Sequence, residues 1–198
     1  MNICPSVNGI SHMQMLELVF FANYFYTIGP KFLALRRIAV LTRERRLLVL
    51  GPSFRRNKSG EPLAAVVRYD GLFYRVARKH LSTVRDVDVI VMIDNLSLTE
   101  GVAPLAYSEP KGKEWEKHTF PSEIKKEAKI KNEDFLIRKL KTKKYSEIFI
   151  SMGRKYAEAL PDLTQYGIRV IFPTSGGPGP KARALRAWIT KEERRLEK

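Results

Sequence analysis

Leu47-Leu48-Val49-Leu50 is a short unbroken apolar run with Gly51-Pro52 directly behind it, and such a run reads as a buried strand entering a loop. Residues 87–93, Val-Asp-Val-Ile-Val-Met-Ile, are rich in β-branched side chains and predict a second strand, closed by Asp94-Asn95. Residues 147–151 and 168–172 supply two more. Between the first pair, Leu72, Phe73, Val76, Ala77 and Leu81 recur at intervals of three and four. That spacing predicts a helix over residues 71–84, with Asp70 as its N-cap. A charged stretch over residues 111–144 carries one apolar stripe, Ile124, Ala128, Phe135, Ile137 and Leu140, and predicts one or two helices. A further helix is expected over residues 153–165. A last one follows Thr174-Ser175-Gly176-Gly177-Pro178-Gly179-Pro180, with Leu185, Trp188 and Ile189 facing inward.

Short apolar strands separated by helices are the pattern of an α/β domain, a mostly parallel central sheet of about four or five strands covered by helices on both faces. Right-handed crossovers then gather the loops that follow the strands at one edge, where open α/β sheets bind ligands. Those loops span residues 51–60, 94–101, 151–154 and 173–181.

The first 43 residues do not share this pattern. Residues 15–28 form an apolar run, and after Gly29-Pro30 a second extends from Phe32 to Leu41, broken by Arg36 and Arg37. Neither reaches the ~20 apolar residues of a membrane span, and the basic residues follow the first run instead of preceding it, the reverse of a signal peptide. The expected organisation is an apolar helical appendage over residues 1–43 and an α/β domain over residues 44–198. The appendage is an arm packing on the domain or on a protein partner through residues 15–41, a membrane-surface anchor, or an upstream stretch translated from a misplaced start codon. Removing it should leave a folded domain.

Charge changes the picture most. The chain has 36 Lys and Arg against 21 Asp and Glu, a formal net charge of +15, and such an excess concentrates polyanions at the surface. Nucleic acid or a nucleotide is therefore the first partner to expect. The lone cysteine, Cys4, cannot pair within the chain and fits a reducing compartment, so a cytoplasmic protein is expected. His80 and His118 lack metal-ligand spacing, and neither Cys-x-x-Cys nor His-Glu-x-x-His occurs, so no metal and no cofactor are assigned.

Three of the expected edge loops carry residues suited to chemistry. In the glycine-rich loop, Ser175, Gly176, Gly177, Gly179 and Lys181 combine close backbone approach, a helix N-terminus, a hydroxyl and an ammonium. It is not a Walker loop, because Gly-Lys-Ser/Thr is absent and Pro178 and Pro180 remove two amide donors; a plain strand-to-helix turn would look the same. In the loop after the first strand, Ser53, Arg55, Arg56 and Lys58 suit phosphate oxygens, with Phe54 or Tyr69 available to stack and Arg68 alongside. At the end of the second strand, Asp94 and Asn95 stand where a general base or a ribose ligand often lies, although an Asx turn closing the strand accounts for them equally simply. No Gly-x-Ser-x-Gly elbow is present.

Leu-Gly-Pro-Ser-Phe-Arg-Arg at residues 50–56, Arg-Tyr-Asp-Gly-Leu-Phe-Tyr at residues 68–74 and Tyr-Ser-Glu-Ile-Phe-Ile-Ser-Met-Gly-Arg-Lys-Tyr at residues 145–156 together resemble a group of uncharacterised archaeal and bacterial α/β domains. That group is distantly related to the YaaA-like peroxide-stress proteins. The resemblance covers about three quarters of the chain and implies an α/β fold and a connection to nucleic acid and stress protection. It departs at the edge loops: the group's first loop often begins Cys-Ser where this chain has Gly51-Pro52-Ser53, and Ile93-Asp94-Asn95-Leu96-Ser97-Leu98 replaces the group's Ser-Ala-Lys-Tyr-Gly-Leu.

The expectation drawn from all this is a basic domain that binds nucleic acid or nucleotide phosphates. Its rivals are a nucleoside- or nucleobase-acting enzyme, glycosidase or transferase, using Asp94 and Asn95 in the same crevice, and a non-catalytic assembly domain docked through its N-terminal arm.

Overall fold

The computed structural model of the chain describes residues 44–109 and 119–191; the expectations for residues 1–43, including the appendage and its partner, lie outside the described residues. Among the described residues seven strands run in chain order: β1 (Arg45–Leu50), β2 (Leu63–Ala64), β3 (Val87–Met92), β4 (Leu98–Glu100), β5 (Pro104–Leu105), β6 (Tyr145–Ser151) and β7 (Arg169–Ile171). The helices are α1 (Ala65–Arg68), α2 (Leu72–Leu81), α3 (Ser122–Thr142), α4 (Arg154–Ala157) and α5 (Pro178–Thr190), with a 3₁₀ turn at Leu163–Tyr166.

Five strands form the main sheet in the order β4-β3-β1-β6-β7. β1 pairs in parallel with both β3 and β6, and β6 with β7. Only β4 is antiparallel, returning along β3 through a tight turn. The expected mostly parallel α/β sheet is therefore present, with one reversed edge strand. β2 and β5 make a separate two-stranded ribbon.

Alternation within the apolar strands sorts the core into two layers. Leu47 and Val49 face one way with Ile90, Met92, Ile148 and Ile150, against Ala128 and Leu136 of α3. Leu48 and Leu50 face the other way with Val91 and Phe149, against Tyr74 and Ala77 of α2 and Leu185, Trp188 and Ile189 of α5. A strand buried on both faces must be apolar at every position, which is why β1 reads as a continuous run. Fully burying one such side chain is worth about 1.5–3 kcal/mol.

Two expected boundaries shift for identifiable reasons. Asp70 does not cap α2; the N-cap is Gly71, without a side-chain acceptor, because the Asp70 carboxylate is drawn to arginines instead. The helix expected over residues 153–165 breaks into α4 and the 3₁₀ turn, since Pro161 lacks the amide an uninterrupted helix requires. Within the stretch 111–144, the described part is one long helix, α3.

At the starting edge of the sheet, charges are paired inward. Arg46 is buried and donates to both oxygens of Asp86, to the Ile189 carbonyl at 2.9 Å and to the Trp188 carbonyl, which ties the end of α5 to the beginning of β1. Asp88 receives Arg45, Lys143 and the Tyr145 hydroxyl.

Candidate functional site

Strand order reverses between β1 and β6, because the chain steps outward from β1 to β3 and then crosses to β6 on the other side. The crevice rule for such sheets points to the C-terminal ends of these two strands. There the Gly51 amide donates to the Ser151 carbonyl at 3.0 Å, and a Cβ on Gly51 would lie 2.4 Å from Met152 Cβ. Glycine is required here to let the two strand ends close on each other. The Tyr74 hydroxyl donates to the Gly51 carbonyl at 2.8 Å, fastening the first turn of α2 to the same point.

α2 and α5 pack against one another on one face of the sheet, and both begin at this edge. Each has a glycine N-cap, Gly71 and Gly177, and neither is capped by a side chain. The positive dipole ends of both helices therefore lie at this edge, with the first-turn amides of α2 and, in α5, that of Gly179 left without a side-chain cap. Ser53 lies directly against the start of α2: a Cβ on Gly71 would be 2.5 Å from Ser53 Oγ. Lys181, in the first turn of α5, lines a small cleft with Phe73, Ser151, Met152 and Pro173. Pro178 and Pro180 leave α5 fewer amide donors than α2.

The glycine-rich loop is surface throughout. Ser175, Gly176, Gly177 and Gly179 are exposed and Lys181 is half-buried. Gly176 has φ 79°, a left-handed turn that a side chain would strain and that aims the chain into α5.

The loop after β1 divides into an inner and an outer set. Arg56 points inward, its side chain only 4% exposed. It forms a two-pronged pair with Asp94, Nη1 to Oδ2 and Nη2 to Oδ1, each at 2.8 Å, and it also donates to the Ser108 carbonyl and, at 3.1 Å, to Ser108 Oγ. Its guanidinium lies over the Tyr69 ring, 5.3 Å from the centroid. The Tyr69 hydroxyl donates to Asp94 Oδ1 at 2.8 Å and Ser108 Oγ to Oδ2 at 3.3 Å. Burial, and then the adjacent Asp94 carboxylate, push the Tyr69 phenol far above its ordinary range, so it remains a donor. Asp94 thus receives two bonds on each oxygen and acts as the knot joining the loops after β1, β3 and β5. Asn95 accepts from the amide of Ser97 at 3.1 Å and from its hydroxyl. That is an Asx turn closing β3.

Arg68 is also internal. Its buried guanidinium donates to the carbonyls of Asn57, Ser59, Glu61 and Leu105 and lies over the Tyr107 ring. Arg68 and Tyr69 therefore sit beneath the edge, not on it, and present no face to a ligand. Arg55 and Lys58 are exposed, and they with Ser53 are the outer set.

The structure thus gathers Ser53, Arg55, the helix starts at Gly71 and Gly177, and Lys181 at one edge, and withdraws Arg56, Arg68 and Tyr69 into scaffolding. Sequence reasoning missed Ser108, whose distance from Asp94 along the chain left no signal. Arg154, in the expected edge loop 151–154, was given no role; it is exposed at the start of α4, just after its N-cap Gly153. Among the described residues no group of His, Cys, Asp and Glu could hold a metal ion, and no helix is long and apolar enough to cross a membrane. Compared with known proteins, the chain matches no family model, no curated protein and no solved structure.

Proposed function

We propose that the chain binds nucleic acid or nucleotide phosphates at the C-terminal edge of its sheet, with Ser53, Lys181 and the amides opening α2 and α5 as the contacts and Arg55 beside them. The observation that carries this reading is that two packed helices start side by side at the strand-order reversal without a capping side chain, beside a lysine and an arginine. Helix starts of this kind favour anions through both their amides and their dipole, and the +15 charge of the chain supplies the long-range attraction.

In this reading Asp94 is structural: its carboxylate accepts four hydrogen bonds from Arg56, Tyr69 and Ser108, and Asn95 closes an Asx turn, which weighs against the nucleoside-enzyme alternative that used both. A tie to the YaaA-like proteins, and with it a role in DNA maintenance or stress, belongs to the same proposal and rests on the motifs quoted above. The test is fluorescence anisotropy of a labelled strand of about 20 nucleotides at about 50 and about 200 mM salt. Saturable binding that weakens with salt and drops on Lys181→Ala is expected. Undetectable binding at the lower salt, or indifference to Lys181→Ala, would refute the reading.

A further inference from the structure

Where the loop after β1 meets the start of α2, three guanidiniums converge on one carboxylate. Asp70 accepts from Arg75 Nη2 at 2.8 Å and Nε at 3.3 Å and from Arg78 Nη2 at 2.6 Å, and Arg55 Nε lies 3.3 Å away. Hydrogen bonds from Arg75 and then Arg78 hold the Asp70 carboxyl down to about 2, so it is ionised at neutral pH. One negative charge against three positive ones leaves an excess of two on the surface.

The three arginines differ in what else they do. Arg78 also donates to the carbonyls of Val66 at 2.9 Å and Tyr69 at 2.8 Å; it anchors the turn into α2. Arg55 and Arg75 have no second contact of this kind among the described residues, and their side chains are 70% and 47% exposed. Anchoring Asp70 needs only Arg78. Two further forks, aligned by a shared carboxylate with their outer N–H groups toward solvent, are pre-organised for a larger anion. Apolar side chains flank the knot in sequence on both sides: Phe54 is 46% and Leu72 47% exposed. Unpaired bases stack on exposed aromatic rings such as that of Phe54.

We propose that Arg55 and Arg75, aligned by Asp70, form a second anion contact beside the one at Ser53 and Lys181, so that the partner is a single nucleic-acid strand spanning both contacts instead of an isolated phosphate. This rests on the reading of the preceding section. It adds that successive phosphates are engaged and that Phe54 contacts a base.

The full chain is titrated with a labelled oligothymidylate of about 20 nucleotides, with the corresponding duplex, and with pyrophosphate as competitor. Arg55→Ala and Arg75→Ala should each flatten the dependence of log affinity on log salt by about 0.7, the value for one phosphate contact on a single strand, which is about a 2.6-fold smaller loss between 50 and 200 mM salt. Asp70→Asn adds one net positive charge and should bind the strand more tightly at low salt. Because Asp70→Asn also touches the Arg78 anchor, Arg75→Gln on the exposed face of α2 serves as the variant least able to disturb folding and should match Arg75→Ala. Phe54→Ala should weaken the strand by about fivefold or more. Loss of binding on Lys181→Ala with an unchanged salt slope for Arg55→Ala and Arg75→Ala overturns this inference alone. A duplex bound as tightly as the strand, or pyrophosphate competing as well as an unlabelled strand, overturns it too. Absence of any strand binding overturns this inference and the reading beneath it together.

Discussion

Replacing Asp94 by alanine should destabilise the fold by about 3 kcal/mol, which sets a structural role apart from a catalytic one. The substitution leaves Arg56, whose side chain is 4% exposed, with no counter-charge, and it removes the acceptor of the Tyr69 hydroxyl. Breaking a buried pair by removing one partner costs about 3–5 kcal/mol. The lower end applies because Asp94 itself is 28% exposed and water can enter beside it. With a urea slope of about 2 kcal/mol per molar, the unfolding midpoint should fall by about 1.5 M. Asp94→Asn keeps an acceptor for Tyr69 and should fall by about half as much. The double variant Arg56→Leu with Asp94→Leu removes both charges and should regain most of the loss, since apolar pairs of similar size often match buried ion pairs. The assay is urea unfolding followed by circular dichroism. An Asp94→Ala protein with the wild-type midpoint would refute the reasoning and return Asp94 to the list of residues kept for chemistry.

Asp86 should give the fold an acid-sensitive component. Burial raises its carboxyl, but hydrogen bonds from Arg46 and Lys191 outweigh that and bring it to about 2. A folded-state value below the ordinary carboxylate range means a stabilisation of about 2 kcal/mol that is complete above about pH 4 and disappears as the pH falls toward about 2. The difference in urea midpoint between wild type and Asp86→Asn should therefore shrink across that window; a constant difference would exclude the linkage. Asn132→Leu should cost about 3 kcal/mol or more, because it strands the buried Leu98 amide and the Leu96 and Ala159 carbonyls, which Asn132 now satisfies at 2.8–2.9 Å. A midpoint within error of wild type would show that water replaces the amide at no cost.

The layered sheet was readable from periodicity because strands buried on both faces can only be apolar and helices between them need a stripe. Leu47 to Leu50 and the spacing from Leu72 to Leu81 carried that information locally. β4 escaped because Leu98-Thr99-Glu100 is too short for alternation to show. The candidate edge was legible in outline, since topology alone brings the loops after parallel strands together. The roles of individual arginines were not. Arg55 and Arg56 are neighbours of identical chemistry, yet one is open to water and the other is sealed against Asp94, a residue 38 positions away. Charge on a loop says how many cations exist, whereas only packing says which of them already have an internal counterpart. The same holds for Asp70, whose place before an apolar periodicity suited a helix cap until three arginines competed for it.

Arg68 gives the loop from Asn57 to Glu61 an unusual property. Most wide loops are secured by scattered contacts and loosen gradually from the tip. Here one side chain collects carbonyls from both the loop and the β5 ribbon, so loop and ribbon should open and close as a single latch, and amide exchange in the two segments should share one rate even though they lie some 40 residues apart in the chain.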